Sequence, residues 1–201
     1  MCIRDRCVRR CEIEDDLYAV VNRVLGAFAF PVFVKPVNAG SSVGVTKVKQ
    51  KEELEAALMQ AAKYDKKVLI EEYIPGGEFE VAVLGNDNPT ASCVGEIVPG
   101  SEFYDYNNKY IEDTASYFIP ARLSEQAAQK VRSYAVEIFK ALGCRGLARV
   151  DFFVEGERVV FNEINTLPGF TPISMYPKLQ IYGGLTYSQL IDRLIELALE
   201  P

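Results

Sequence analysis

Residues 147–164 constrain this chain more than any other stretch. Leu147 to Val154 and Arg158 to Ile164 are rich in Val, Phe and Ile, side chains that favour strands. Glu155-Gly156-Glu157 between them reads as a tight turn, so the pair is expected to be a hairpin. Side chains alternate faces along a strand, so Arg149 and Asp151 share a face, as do Glu163 and Asn165. A turn centred on Gly156 sets Arg149 opposite Glu163 with Asp151 diagonal to it, and all four project from one side. The face then offers a guanidinium, two carboxylates and an amide. These are hard oxygen donors for a metal with a cation beside them, a combination suited to chemistry on a phosphate.

Composition narrows the alternatives. The 201 residues are 49% hydrophobic and 25% charged, enough for one or two packed lobes and unlike a disordered chain. A formal net charge of −6 with no long basic run argues against nucleic acid as the main partner. No apolar run is long enough to span a bilayer, and nothing near the start resembles a secretory signal. Histidine is absent, which excludes His-containing triads, dyads and zinc sites. Acid–base work falls to Tyr, Lys, Asp or Glu. The cysteines Cys2, Cys7, Cys11, Cys93 and Cys144 form no C-x-x-C pair and no even-numbered framework. A reducing cytoplasm is the expected compartment.

Residues 1–13 look unlike the rest and are expected to be a foreign or disordered start. Periodicity predicts helices over Glu14–Leu25, Glu52–Tyr64, the stretch after the N-cap Ser124, and Thr186–Leu199. Strands are predicted at Val32–Lys35, near Val43–Val48, and at Val68–Tyr73, Phe79–Leu84 and Ala91–Val98, besides the hairpin. Phe170 to Gly184 reads as irregular. Pro99 to Pro120 has neither period and is long for a plain connection, so it is expected to be a functional lid. Alternating elements followed by a hairpin predict an α+β chain of two small lobes with a cleft between them. The expected division is 14–98 for the first lobe and 99–201 for the lid and second lobe.

Three further clusters sit beside the hairpin. Lys35 ends a strand and is followed by a loop with Gly40-Ser41-Ser42-Val43-Gly44. Such a loop lets backbone N–H groups approach an anion, although its spacing is not that of a Walker A loop. Glu71-Glu72-Tyr73-Ile74 closes a strand before Pro75-Gly76-Gly77-Glu78, leaving backbone groups free for an adenine edge and a carboxylate for a ribose. Phe103 to Tyr110 holds Lys109 and several tyrosines, groups that suit a closing loop over a phosphate. Each cluster also reads as an ordinary polar turn or surface loop.

Taken in order, Phe33-Val34-Lys35-Pro36, Gly40-Ser41-Ser42-Val43-Gly44, Glu71-Glu72-Tyr73-Ile74, Tyr104-Asp105-Tyr106, Lys109-Tyr110, Arg149-Val150-Asp151 and Asn162 to Thr171 resemble the D-alanine–D-alanine ligases. These are ATP-grasp enzymes of bacterial peptidoglycan synthesis. The similarity runs from about Val8 to the C-terminus. It implies an ATP-dependent, ADP-forming ligase of the cytoplasm that uses D-alanine, ATP and magnesium or manganese, works as a homodimer at full length, and needs neither nucleic acid nor membrane. Lys35 resembles the lysine on the ATP phosphates, and Ser41 and Ser42 the serines of the loop. Glu71, Tyr73 and Ile74 resemble the adenine hinge, and Glu78 the ribose ligand. Lys109 and Tyr110 resemble the lid pair near the γ-phosphate and the substrates. Asp151, Glu163 and Asn165 resemble the metal ligands. Arg149 and the Gly169 N–H resemble the groups on the transferring phosphate and tetrahedral oxyanion. Ser174 and Met175 fall where the second substrate's carboxylate is bound.

The departures are expectations too. Such ligases begin with an α/β domain, on the order of 100 residues, that carries a glutamate for the first D-alanine's ammonium. A further nucleotide-binding lysine follows it. Neither is present here, so the chain is expected to be a C-terminal portion that makes no dipeptide alone. Ile173 stands where a histidine is frequent. Two other readings remain: a D-alanine–D-lactate ligase, against which the Tyr-Asp-Tyr and Lys-Tyr pattern counts, and a non-catalytic ATP-binding module, against which Arg149 counts.

Overall fold

The computed structural model describes residues 3–39, 42–98 and 116–200. They form two units, each with its own antiparallel sheet. The described part of the first is Ile3–Ile74; that of the second is Pro75–Val98 with residues 116–200. The division expected at residue 98 therefore falls at residue 74. The reason is pairing: β5 (Gly77–Gly85) and β6 (Thr90–Val98) lie in the same sheet as the hairpin.

In the first unit, β1 (Asp5–Arg9), β2 (Val32–Pro36), β3 (Thr46–Val48) and β4 (Lys67–Glu72) run in the order β1-β4-β2-β3. Helices α1 (Arg10–Asp15), α2 (Leu17–Leu25) and α3 (Leu54–Ala62) accompany them. Period-2 alternation sends Val8, Val32, Val34, Val48, Val68 and Ile70 to one face, where they bury with Val20, Val24, Leu54 and Leu58 of the helices. The expected disordered start is corrected here. Residues 5–9 pair with β4 from Asp5↔Glu71 to Arg9↔Lys67, and Val8 is buried in the core, so ladder and packing both fix this segment. Asp16 splits the predicted helix 14–25, because its carboxylate accepts from the Ala19 N–H at 2.9 Å and caps α2.

The second unit's sheet has the order β7-β6-β5-β8-β9, with β7 (Ser116–Phe118), β8 (Gly146–Glu155) and β9 (Arg158–Asn165). Helix α4 (Glu125–Ala141), capped by Ser124 through the Ala127 N–H, lays Ala127, Val131, Ala135 and Phe139 on Phe79, Val81, Val150, Phe152 and Val154. The segment predicted irregular contains a helix, α5 (Met175–Tyr182). Pro177 and the Gly183-Gly184 pair hide it in sequence, yet a proline in the first turn removes only an N–H that has no partner inside the helix. Helix α6 (Tyr187–Leu199) follows, capped by Thr186. The lid expectation for 99–120 falls almost wholly outside the described residues.

Candidate functional site

The hairpin register decides which side chains share a face. The turn is centred between Gly156 (φ +58°) and Glu157, giving Glu155↔Arg158, Val154↔Val159 and Phe152↔Phe161. Continued unchanged, that register sets Glu163 opposite Val150 and turns it into the core. A bulge intervenes instead: beyond Phe152 the partners are Asp151↔Glu163, Val150↔Ile164 and Arg149↔Asn165, with Asn162 the extra residue. The expected pairing of Arg149 with Glu163 is thus corrected by two residues. The expected common face for Arg149, Asp151, Glu163 and Asn165 is present, and the bulge makes it so.

The same row continues onto the next strand. Glu80 of β5 lies opposite Asp151, so Glu80, Asp151 and Glu163 form a line of carboxylates across β5, β8 and β9. The adjacent row is Ala82, Arg149 and Asn165. The Arg149 guanidinium donates from Nε to Asp151 Oδ1 at 2.8 Å and from Nη2 to Oδ2 at 2.7 Å. Its Nε also lies 3.2 Å from Glu80 Oε1. Burial works against the charge of Arg149, but Asp151, then Glu80 and Glu163, outweigh it and hold its pKa above the ordinary guanidinium value. Like charges aligned on adjacent strands repel; here a buried cation compensates them.

Among the described residues no three acidic, histidine or cysteine side chains converge on one metal position. The candidate ligands are two carboxylates and the Asn165 amide, and both Asp151 oxygens face Arg149. Their chemistry fits a hard divalent cation all the same. Asp151, Glu163 and Asn165 share one face and supply an oxygen-only donor set with two carboxylates.

Glu78 projects from the same face of β5 as Glu80, opposite Phe153. Gly95 lies across from Glu80 on β6, and a Cβ there would stand 3.0 Å from Leu179 and 3.1 Å from Met175. The missing side chain lets α5 close over the sheet beside Glu80. Met175, predicted at the substrate, is accordingly buried by its side chain. Tyr176 is buried as well; its hydroxyl donates to the Val83 carbonyl at 3.1 Å, and burial raises its pKa. The turn leading into α5 is closed on itself. Ser174 Oγ accepts from the Thr171 N–H at 3.1 Å, and the Ser174 N–H donates to the Thr171 carbonyl at 2.9 Å. Gly169 is exposed there, with Ser174 Oγ 2.8 Å from where a Cβ would sit.

The first unit carries the other predicted residues. Lys35 and Glu71 project from the sheet face away from the helices and form a 2.8 Å ion pair, both largely buried. Phe33, opposite Glu71, stands 6.3 Å from the Tyr73 ring, and the Lys47 ammonium lies 4.4 Å above that ring. Tyr73 is half-exposed, whereas Ile74 is buried. Ser42 takes a left-handed φ of +59° in the loop after β2. That loop is anchored by Asp65, whose carboxylate accepts from the Asn38 N–H at 2.7 Å and its amide at 2.8 Å. These bonds, the backbone one first, hold Asp65 below the usual carboxylate range. Ser41, Lys109 and Tyr110 lie outside the described residues. Sequence reading missed Glu80 and Asp65. The strict alternation Glu78-Phe79-Glu80-Val81 was the available signal for Glu80, and Asp65, in a loop, has no periodic signal.

Comparison with known proteins gives this geometry a family. The model for the D-ala D-ala ligase C-terminus matches residues 6–196. A D-alanine–D-alanine ligase of Acetivibrio thermocellus is 59% identical over 95% of this chain and 51% of its own length. One of Prosthecochloris aestuarii is 53% identical over 96% and 54%. Among solved structures, the VanG D-Ala:D-Ser ligase of Enterococcus faecalis has a TM-score of 0.85 at 41% identity, covering 98% of this chain and 56% of that one. The D-alanine–D-alanine ligase of Coxiella burnetii has 0.83 at 38%, covering 98% and 51%. The chain spans about half the length of the relatives it matches. With nearly its whole length inside the family model, this α+β chain belongs to the D-ala D-ala ligase C-terminus family, of ATP-grasp fold.

Proposed function

We propose that the chain is the ATP-handling portion of an ADP-forming D-alanine–D-alanine ligase. The observation that carries this reading is the second unit's polar face, where Arg149 sits in a line of carboxylates beside Asn165. In the proposed reaction the γ-phosphoryl of ATP passes to the carboxylate of one D-alanine. The amine of a second then attacks the acyl phosphate, forming the peptide bond and releasing phosphate. Asp151, Glu163 and Asn165 hold magnesium or manganese, which when bound neutralises charge on the phosphate oxygens. Arg149 offers a pre-oriented guanidinium to the oxyanion that develops during transfer. Lys35 and Ser42 bind the ATP phosphates, Ser41 joins a hydrogen-bond network at the substrate, Glu71, Tyr73 and Ile74 bind the adenine, and Glu78 binds the ribose. The Gly169 N–H and the first turn of α5 at Ser174 and Met175 receive substrate oxygens, Lys109 serves the γ-phosphate, and Tyr110 serves the substrates. Relatives at 59% and 53% identity that are D-alanine–D-alanine ligases support D-alanine as the second substrate. The reading extends to a cytoplasmic homodimer at full length; among the described residues no helix is long and apolar enough to cross a membrane.

The test is a chimera in which this chain replaces the matching half of the Acetivibrio thermocellus relative. ATP-dependent formation of D-alanyl-D-alanine with one ADP per dipeptide is the expected result. A folded chimera that binds no ATP and forms no dipeptide would overturn the reading.

A further inference from the structure

We propose that Glu80 is a positioning residue: it keeps the Arg149 guanidinium in place when Asp151 turns its carboxylate to a divalent cation. The inference rests on the reading of Asp151, Glu163 and Asn165 as metal ligands. As the side chains stand, both Asp151 oxygens accept short bonds from Arg149, at 2.8 and 2.7 Å. A cation on Asp151 competes for those oxygens and repels the guanidinium. Without a second anchor Arg149 would lose its orientation just when a transferring phosphate needs it.

Glu80 has the right place for that anchor. It stands on the far side of Asp151 from Glu163, one strand over in the same row. A cation shared by Asp151, Glu163 and Asn165 lies toward β8 and β9, while Glu80 draws Arg149 toward β5. Its Oε1 is already 3.2 Å from Arg149 Nε. Ala82, opposite Arg149 on β5, carries only a methyl group and leaves room for a guanidinium to lean that way. Glu80 is itself only 7% exposed, and Gly95 beside it admits Met175 and Leu179 of α5 over the sheet. Packing thus holds this carboxylate, and Arg149 against it compensates its charge.

The test uses the 201-residue chain labelled with ¹⁵N-arginine and titrated with magnesium chloride in the presence of ADP. The readout is the Arg149 Nε–H resonance and its exchange with water, assigned by its absence in Arg149→Lys. In the parent chain the resonance stays protected with and without magnesium. In Glu80→Met it is protected without magnesium, because Asp151 still holds it, and exchanges at least tenfold faster at saturating magnesium. Glu80→Gln, whose amide oxygen still accepts, restores most of the protection; if Glu80→Met does not fold, Glu80→Gln alone must show magnesium-dependent exchange faster than the parent. Protection that survives magnesium in folded Glu80→Met, or parent-like protection in Glu80→Gln where only that variant folds, would overturn the proposal and leave the metal site standing. Protection already lost without magnesium would reduce Glu80 to a structural role and overturn it too. If, in a uniformly ¹⁵N-labelled sample of the parent chain, magnesium leaves the Asp151 and Glu163 amide signals unmoved, the metal reading fails and takes this proposal with it.

Discussion

Arg149 is the residue on which the second unit's polar face depends. It is paired with Asp151 and Glu80, and removing it leaves those two buried carboxylates facing one another. Arg149→Ala is expected to cost about 3 kcal/mol of stability, the order found when one partner of a buried pair is deleted. Millimolar magnesium should return part of that loss by binding the folded state alone. Denaturant melts with and without magnesium check both halves. Glu163→Gln keeps shape and removes one charge, so it should change the melting point little while weakening magnesium binding at least tenfold. A second carboxylate gives a pH signature. Glu96 is held below its ordinary value of 4.5, first by side-chain hydrogen bonds from Arg122 at 2.9 and 2.7 Å and against the effect of burial. Its folded pKa is lower than its unfolded one, so its contribution is complete above pH 4.5 and fades as pH falls through the folded value. Arg122→Ala should therefore lower the urea midpoint at pH 7 and differ less from the parent at pH 3.

Among the elements, β9 carries the most consequential irregularity. Strand parity placed Glu163 and Asn165 on one face, and the family's residue pattern supplied their roles. Neither revealed the bulge at Asn162, because the turn sets the register and Glu155-Gly156-Glu157 is compatible with more than one turn. The bulge implies an unusual outcome. Deleting Asn162 should leave a regular ladder in which Glu163 still faces Asp151 and Ile164 still faces Val150, so the hairpin should tolerate the loss. Cross-strand Hα contacts between residues 151 and 163 report this directly; their loss, with Glu163 turned to the core, is the contrary result. Helix α5 was illegible for a different reason. Its buried Met175, Tyr176 and Leu179 lie on one face, but Gln180 is buried with them while Ile181 and Tyr182 are exposed, and Pro177 breaks the apparent pattern, so packing on Gly95 rather than local propensity makes it helical. Gly95→Ala is accordingly expected to overpack that contact and cost roughly 1–3 kcal/mol in a denaturant melt.

At the scale of the molecule, the α+β class and most of the elements were readable because each lobe has clean alternation on its strands and a clear stripe on α2, α4 and α6. The unit boundary was not. Residues 75–98 follow the first sheet in sequence, but β5 pairs with β8 and β6 with β5 in the second, a long-range choice that local periodicity does not carry. Likewise β1 forms because Val8 completes a core and β4 offers an edge, although its own sequence looked foreign. Each unit holds one share of the proposed chemistry: Lys35, Glu71 and Tyr73 in one, Arg149, Asp151, Glu163 and Asn165 in the other. The last three are proposed to bind the metal that accompanies a nucleotide. Manganese added at substoichiometric levels with ADP to the ¹⁵N-labelled chain tests this most directly, because its paramagnetism broadens only nearby signals. The amides of Asp151, Glu163 and Asn165 are expected to broaden first, and Glu163→Gln to abolish the effect. First broadening elsewhere, or an unchanged response in Glu163→Gln, would contradict it.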